Sequence, residues 1–316
     1  MDNSVKEVVM VGAGPSALAA AIYTTREDIE TTLYEKSAIG GLAAVTDIVD
    51  NYPGFPDGIE GLTLAGHLEK QAERFGAHIE FGDVSAIRDE GDYKVLTVDG
   101  ADVKAKVVLI ATGSDWKKIG VPGEVEFYGR GVHYCATCDG AFYRDKKLVV
   151  IGGGNSGFQE ALFLTRYATH IDLLVRSKVT ASDILQHDMQ KMVDSGKVTI
   201  HLQTTTEEIV ATDGRVTAVN AIKANEPVTF ITDGVFVFVG LLPNTQFLAG
   251  SDIALDERGL IKTDAHLQTN MKGVFASGDV RSGATMQIAS AVGEGASAAL
   301  SIREYLEDYN RDPSAV

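Results

Sequence analysis

The sequence predicts an α/β fold of two units, the second inserted into the first, and three observations predict it. An apolar strand over 7–11, a glycine-containing turn over 12–17 and an alanine-rich helix over 18–23 follow one another near the start. The same order recurs over 147–151, 152–157 and 158–167. Two segments carrying Pro, Gly and polar residues, 116–121 and 241–244, stand where a chain would leave the first unit and return to it. The expected boundaries put 1–117 and 243–316 in a discontinuous domain and 118–242 in the inserted one.

In the first unit, Gly12 allows the tight turn after the strand, and Gly14 lets the backbone approach a pyrophosphate. Ala17 stands where a third small residue belongs. The next strand, 31–34, ends on Glu35, about 20 residues past the loop, where a dinucleotide-binding fold places an acid on the ribose hydroxyls. In the second unit Gly152, Gly154 and Gly157 complete the same fingerprint, followed by a strand over 171–175. Two such loops predict two dinucleotide-binding (Rossmann-like) domains, or one duplication with a dead copy. Two live sites are the simpler account, because a hydride carrier needs an acceptor for its electrons. Two further strands end in small-residue turns: 107–110 in Ala111-Thr112-Gly113, and 273–276 in Ser277-Gly278-Asp279.

The chain has two cysteines, Cys135 and Cys138, inside Cys135-Ala136-Thr137-Cys138-Asp139-Gly140. A CxxC pair with no third cysteine, set between two nucleotide loops, reads as a redox couple. The spacing is also half of a tetrahedral zinc site, and His133 would point the same way as Cys135 in an extended segment, but a fourth ligand is missing. An inert buried pair is a third reading, opposed by the acid Asp139 directly after the second thiol.

A hydrophobic share of 45% with 33 glycines suits an α/β protein with many tight turns. The net charge of −16 opposes nucleic acid and anionic membranes as partners. The start, Met1-Asp2-Asn3-Ser4, lacks the basic and apolar stretches of a secretory signal, and no apolar run approaches a membrane span. A cytoplasmic protein is expected, and there paired cysteines serve catalysis more readily than structure.

From about residue 8 to about residue 305 the chain resembles the low-molecular-weight thioredoxin reductases, FAD-dependent pyridine nucleotide-disulfide oxidoreductases. The segments that carry the resemblance are 12–17, Gly40-Gly41, Asp50-Asn51-Tyr52-Pro53-Gly54-Phe55, 110–113, 129–140, 152–157, and 276–280 followed by Gln287-Ile288. It implies FAD on the discontinuous domain, a pyridine nucleotide on the inserted one, a homodimer, and reduction of the disulfide of thioredoxin or a thioredoxin-like protein. The implied FAD contacts are Gly12, Gly14 and Ala17 at the pyrophosphate and Glu35 at the ribose. Gly41, Asn51, Thr112 and Gly113 fall near the ribityl chain and ring, and Asp279, Gln287 and Ile288 at the flavin edge. Gly152, Gly154, Ser156, Gly157 and Arg176 fall to the pyridine nucleotide. By the same resemblance Cys138 faces the flavin, Cys135 attacks the partner's disulfide and Asp139 is the general acid. The plainer role for Asp139 is to cap a helix.

The chain departs from its family where the 2′-phosphate of NADPH would bind. Of the usual arginine cluster only Arg176 matches, with Ser177 and Thr180 in place of arginines, Val175 where an acid would select NADH, and Lys178 as a partial substitute. On the flavin side Leu42 and Met286 replace a glutamine and an arginine. NADPH or NADH therefore stays open as donor. A non-nicotinamide donor, ferredoxin or flavodoxin, is the alternative, and a flavin- or zinc-binding redox sensor module is a further one. The stretch 305–309, with Tyr305 and Tyr309, either places an aromatic over the flavin or packs on the fold.

Overall fold

The structure, a computed structural model, describes residues 4–46 and 48–311; Met1, Asp2 and Asn3, part of the stretch read for a signal, lie outside them. The chain divides into two compact units. Residues up to Asp115 and from Leu242 onward form one, and Trp116–Leu241 the other, so the second is an insertion in the first.

The first unit is built on a seven-stranded sheet. Strands His78–Phe81, Thr31–Glu35, Val5–Val11 and Ala101–Ile110 run parallel in that order. Ala101–Ile110 pairs on its far side with Lys94–Val98, antiparallel, near its start, and with Val274–Ala276, parallel, at its end. The two central strands are apolar on both faces over 8–11 and 107–110, as buried parallel strands must be. Val8, Met10, Val107 and Leu109 pack under the helices Pro15–Thr25, Gly61–Arg74 and Ile288–Arg311, while Val9, Val11, Val108 and Ile110 point to the opposite core. This brings the glycine turn after Val11, the Ala111–Gly113 turn and the Ser277–Asp279 turn to the same end of the sheet.

The second unit repeats the plan with five parallel strands in the order Val132–His133, Gly234–Val237, Lys147–Ile151, His170–Leu174, Val198–His201. Helices Asn155–Leu164 and Asp183–Asp194 cover one face. A three-stranded antiparallel sheet, Thr204–Thr212, Arg215–Lys223 and Glu226–Ile231, covers the other. Both units are thus Rossmann-like α/β folds.

Both helices after the glycine loops begin three residues earlier than the sequence suggested, at Pro15 rather than 18 and at Asn155 rather than 158. Gly14 and Gly154 are extended N-caps, and Pro15 has the φ that a first helical residue needs. Ala17 and Gly157 therefore sit inside the first helical turn. A Cβ on Gly157 would lie 2.5 Å from the carbonyl oxygen of Gly152, so only glycine lets this helix approach its strand.

Entry into the second unit is fixed by Glu124, which is fully buried. Its carboxylate accepts hydrogen bonds from Ile119 N (2.9 Å), Gly120 N (2.7 Å) and the Tyr134 hydroxyl (2.8 Å), while Trp116 stacks on Tyr134. The residue before Cys135 is thereby tied to the segment leading into its domain. Glu124→Gln, which retains one acceptor oxygen but puts an amide N–H among donors, is expected to cost about 2 kcal/mol in chemical denaturation. An unchanged midpoint would contradict this role. Among the described residues no helix is long and apolar enough to cross a membrane.

Candidate active site

Two cavities of about 340 and 310 Å³ in the first unit share Gly12, Glu35, Lys36, Thr112 and Asn244 in their walls. Gly12, at φ 97°, turns the chain so closely past Ala111 that a Cβ would stand 2.7 Å from its carbonyl oxygen, whereas the Cβ position on Gly14 opens on free space. The helix after them directs its first N–H groups toward this end of the sheet, the arrangement that favours a phosphate. Glu35, buried at the tip of its strand, accepts from Ala13 N (2.8 Å), Ser37 N (2.9 Å) and the Ser37 hydroxyl (3.1 Å).

Of the residues the sequence singled out for FAD, Gly12, Gly14, Glu35, Gly41, Thr112, Gly113, Asp279, Gln287 and Ile288 line these cavities. Ala17 does not: it is buried in the core beneath the loop. Asn51 joins through its side chain, donating to Gln287 Oε1 at 3.0 Å. Leu42 lines the 310 Å³ cavity, and Met286 adopts a left-handed φ of 57° directly before Gln287. Asp279 lies in a short 3₁₀ turn, its carbonyl accepting from the Ser114 hydroxyl at 2.6 Å. Burial, then the charge of Glu294, pushes its carboxyl up to about 6. Sequence reasoning missed Lys36, Asn244 and the segment 82–85 leading into the Val84–Asp89 strand as wall residues; Asn244 lay in a segment read only as a linker. Tyr305 and Tyr309 are not in the walls. Tyr305 packs edge-on against Phe275, and the Tyr309 hydroxyl donates to Asp92 O, so they serve packing within this chain.

In the second unit, the chain leaves the Val132–His133 strand and turns into a one-turn helix, Ala136–Asp139. Cys135 is its extended N-cap, and Cys135 and Cys138 are joined in a disulfide. Cys138 N donates to Cys135 Sγ at 3.1 Å. Asp139 stands at the N-cap of the 3₁₀ turn Gly140–Tyr143 but its side chain makes no capping hydrogen bond; the carboxylate turns instead to His133, Oδ2 lying 3.2 Å from Nδ1. The other ring nitrogen of His133 meets the Tyr143 hydroxyl at 2.7 Å. His133, weighed as a zinc ligand, thus has both nitrogens engaged by protein groups, and both sulfurs are bonded to each other.

The second glycine loop lies in this same unit. Gly152 and Gly157 make its close packing, and Ser156 is exposed on the first turn of its helix. Arg176 is exposed just past the His170–Leu174 strand, as are Ser177 and Lys178. Thr180 donates to Gly153 O through both its N–H (2.7 Å) and its hydroxyl (3.3 Å), and Ser182 N donates to Asn155 Oδ1 (2.8 Å). The segment that replaces the arginine cluster is therefore fastened to the loop.

A pyridine nucleotide-disulphide oxidoreductase family matches residues 6–295. The chain is 40% identical to a thioredoxin reductase of Bacillus subtilis (strain 168), over 97% of this chain and 96% of that protein. It is 39% identical to one of Listeria innocua serovar 6a, with the same coverage. A solved thioredoxin reductase from Streptococcus pyogenes MGAS5005 is 36% identical and superposes with a TM-score of 0.91, over 97% of this chain and 100% of that one. Near-complete matches on a fold with two glycine loops and a CxxC disulfide leave one placement: the chain belongs to the pyridine nucleotide-disulphide oxidoreductases, and among them to the low-molecular-weight thioredoxin reductases.

Proposed function

We propose that the chain is an FAD-dependent thioredoxin-disulfide reductase whose Cys135/Cys138 pair carries electrons to thioredoxin or a thioredoxin-like protein. The observation that carries this reading is the Cys135–Cys138 disulfide at the start of the Ala136–Asp139 helix, with the Cys138 N–H on Cys135 Sγ. A backbone N–H aimed at one sulfur favours its thiolate. Cys135 is accordingly the sulfur that attacks the partner's disulfide, Cys138 takes electrons from the flavin side, and Asp139 supplies the proton.

When bound, FAD supplies a relay between a two-electron donor and the disulfide. The free space at Gly14 and the buried acid at Glu35 fit its pyrophosphate and ribose. Thr112, Gly113, Asp279, Gln287 and Ile288 hold the rest, with Asn51 steadying Gln287; Ala17 acts from below by letting the helix pack. In the second unit Gly152, Gly154, Ser156 and Gly157 receive a pyridine nucleotide, with Arg176 as the guanidinium beside its ribose. The reading is tested by thioredoxin-dependent turnover of the FAD-loaded protein. A protein that loads no flavin, or reduces no thioredoxin with any donor, ends it.

One guanidinium with neighbouring hydroxyls discriminates poorly between NADPH and NADH. Each charge-assisted hydrogen bond missing from a phosphate costs ~1.5–3 kcal/mol, so the two nucleotides are expected to bleach the bound flavin with affinities within about tenfold of each other. Anaerobic titration with each checks this; a preference of a hundredfold or more would contradict it. The Thr180–Gly153 hydrogen bonds favour a second reading, in which the loop is closed to nicotinamide and ferredoxin or flavodoxin is the donor. Rapid bleaching by neither nucleotide would decide for it. The homodimer implied by the resemblance is tested by sedimentation, and the cytoplasm is where such a thiol couple stays reducible.

A further inference from the structure

We infer that His133 is the positioning residue behind Asp139, holding its carboxyl in place and resupplying the proton it gives to sulfur, with Tyr143 as the link to solvent. The inference rests on the reading of Asp139 as general acid. His133 is 6% exposed, its ring stacked on Phe236 at 5.1 Å. Nδ1 faces Asp139 Oδ2 and Nε2 faces the Tyr143 hydroxyl, and these contacts suit either charge state of the ring. A neutral imidazole donates from Nδ1 to the carboxylate and accepts the phenol proton at Nε2. An imidazolium donates at both positions, because a phenol oxygen accepts as readily as its proton donates. The ring therefore gains or loses a proton without breaking a hydrogen bond, which is what a buried proton store requires.

The groups facing the pair support this. Tyr143 is half-buried, and burial followed by the charges of Asp139 and Asp233 raises its ionisation well above the ordinary phenol range, so it relays without becoming an anion. Tyr128, raised by burial and then by Asp139, is likewise neutral. Phe236, packed against both His133 and Tyr143, carries no charge.

Opening of the Cys135–Cys138 bond by two electrons, which FAD would supply when bound, leaves two sulfur anions. Asp139 gives its proton to one of them, an S–H bond replacing an O–H bond. The carboxylate then takes the Nδ1–H proton of neutral His133 while Nε2 takes the Tyr143 hydroxyl proton, so the ring ends neutral with its proton on Nε2 and the Tyr143 oxygen takes a proton from water.

The experiment compares the holoenzyme with His133→Gln, Asp139→Asn, the double variant and Tyr143→Phe. Two readouts are followed between pH 5 and 9: flavin reoxidation in a single turnover, and thiolate absorbance near 240 nm after reduction with dithiothreitol. Expected for His133→Gln are a single-turnover rate at pH 7 lower by about tenfold, below the full worth of a general acid, and a thiolate titration displaced upward because the Asp139 charge has lost its partner. The double variant should be no slower than Asp139→Asn alone. Tyr143→Phe, which keeps the ring packing, should move both readouts in the same direction by less, and it decides the matter if His133→Gln fails to fold. Profiles that superimpose on those of the unaltered enzyme, or effects of His133→Gln and Asp139→Asn that multiply, overturn the inference. An Asp139→Asn enzyme as fast as the unaltered one overturns instead the general-acid reading on which it rests.

Discussion

Serine in place of Cys138 is expected to abolish turnover with thioredoxin by ~10³-fold or more, the order reached when a covalent group is removed, while FAD stays bound. The walls of the two cavities proposed to hold FAD contain neither cysteine, so the yellow colour should survive. What is lost is the sulfur that completes the disulfide. The variant still has Cys135, and its reduced form can attack an oxidised thioredoxin, releasing one thiolate and forming a mixed disulfide. In the unaltered enzyme Cys138 would resolve that bond by attacking Cys135 Sγ; a serine hydroxyl, with no thiolate at any working pH, cannot. Cys138→Ser should therefore accumulate a one-to-one covalent complex, visible on a non-reducing gel and cleared by dithiothreitol. Cys135→Ser should be equally inactive but trap little, because the N–H that favours a thiolate on Cys135 has no counterpart for Cys138 among the described residues. Trapping by Cys135→Ser and not by Cys138→Ser would reverse the assigned roles.

The parts of this enzyme that were legible in sequence are those whose chemistry is local. A glycine that must turn the chain and a second that must leave room for phosphate stand two residues apart, and a redox pair on one helical turn stands three apart. The cavity wall is different, because its members meet through sheet register. Thr112 and Asn244, 132 positions apart, exchange hydrogen bonds in both directions, the Thr112 hydroxyl to Asn244 O (2.8 Å) and Asn244 Nδ2 to Thr112 O (3.0 Å). Nothing in the composition around Asn244 marks it as more than a linker residue. Asn51 and Gln287, 236 apart, are joined the same way, and only the resemblance had put both beside the flavin. Asp139 shows the opposite failure. Its position after CxxC suits a cap, but the turn out of the Val132–His133 strand places an imidazole within reach, and the carboxylate takes that partner instead of the backbone.

Asp279→Asn is expected to make the flavin-free protein more stable and the flavin-bound protein less tightly assembled. The carboxyl lies in the cavity wall, where burial, then Glu294, pushes it up to about 6 from its ordinary 3.8. Glu294 pairs with Arg281, at 2.6 Å, and accepts from Gly278 N, at 2.9 Å, which holds its carboxylate beside Asp279. Below pH 3.8 both folded and unfolded chains carry the Asp279 proton, and the group contributes no difference. Between 3.8 and 6 the folded protein keeps a proton that the unfolded chain has released, so stability falls as pH rises through this window and is level above it. The separation of the two values corresponds to about 3 kcal/mol at neutral pH. An amide of the same shape has no proton to lose. The asparagine variant of the apoprotein should accordingly gain up to about 3 kcal/mol over the parent in urea denaturation at pH 8 and close to nothing at pH 4. Comparing the two proteins at each pH removes the other carboxylates that titrate in the same range. An equal difference at both pH values would mean that the effect is packing and not ionisation. FAD binding should move the other way, because an ionised acceptor is a stronger partner for ligand hydroxyls than an amide oxygen. A group that destabilises the empty fold while strengthening its complex is kept for the ligand, and the opposite signs of these two measurements would separate that role from an ordinary buried acid.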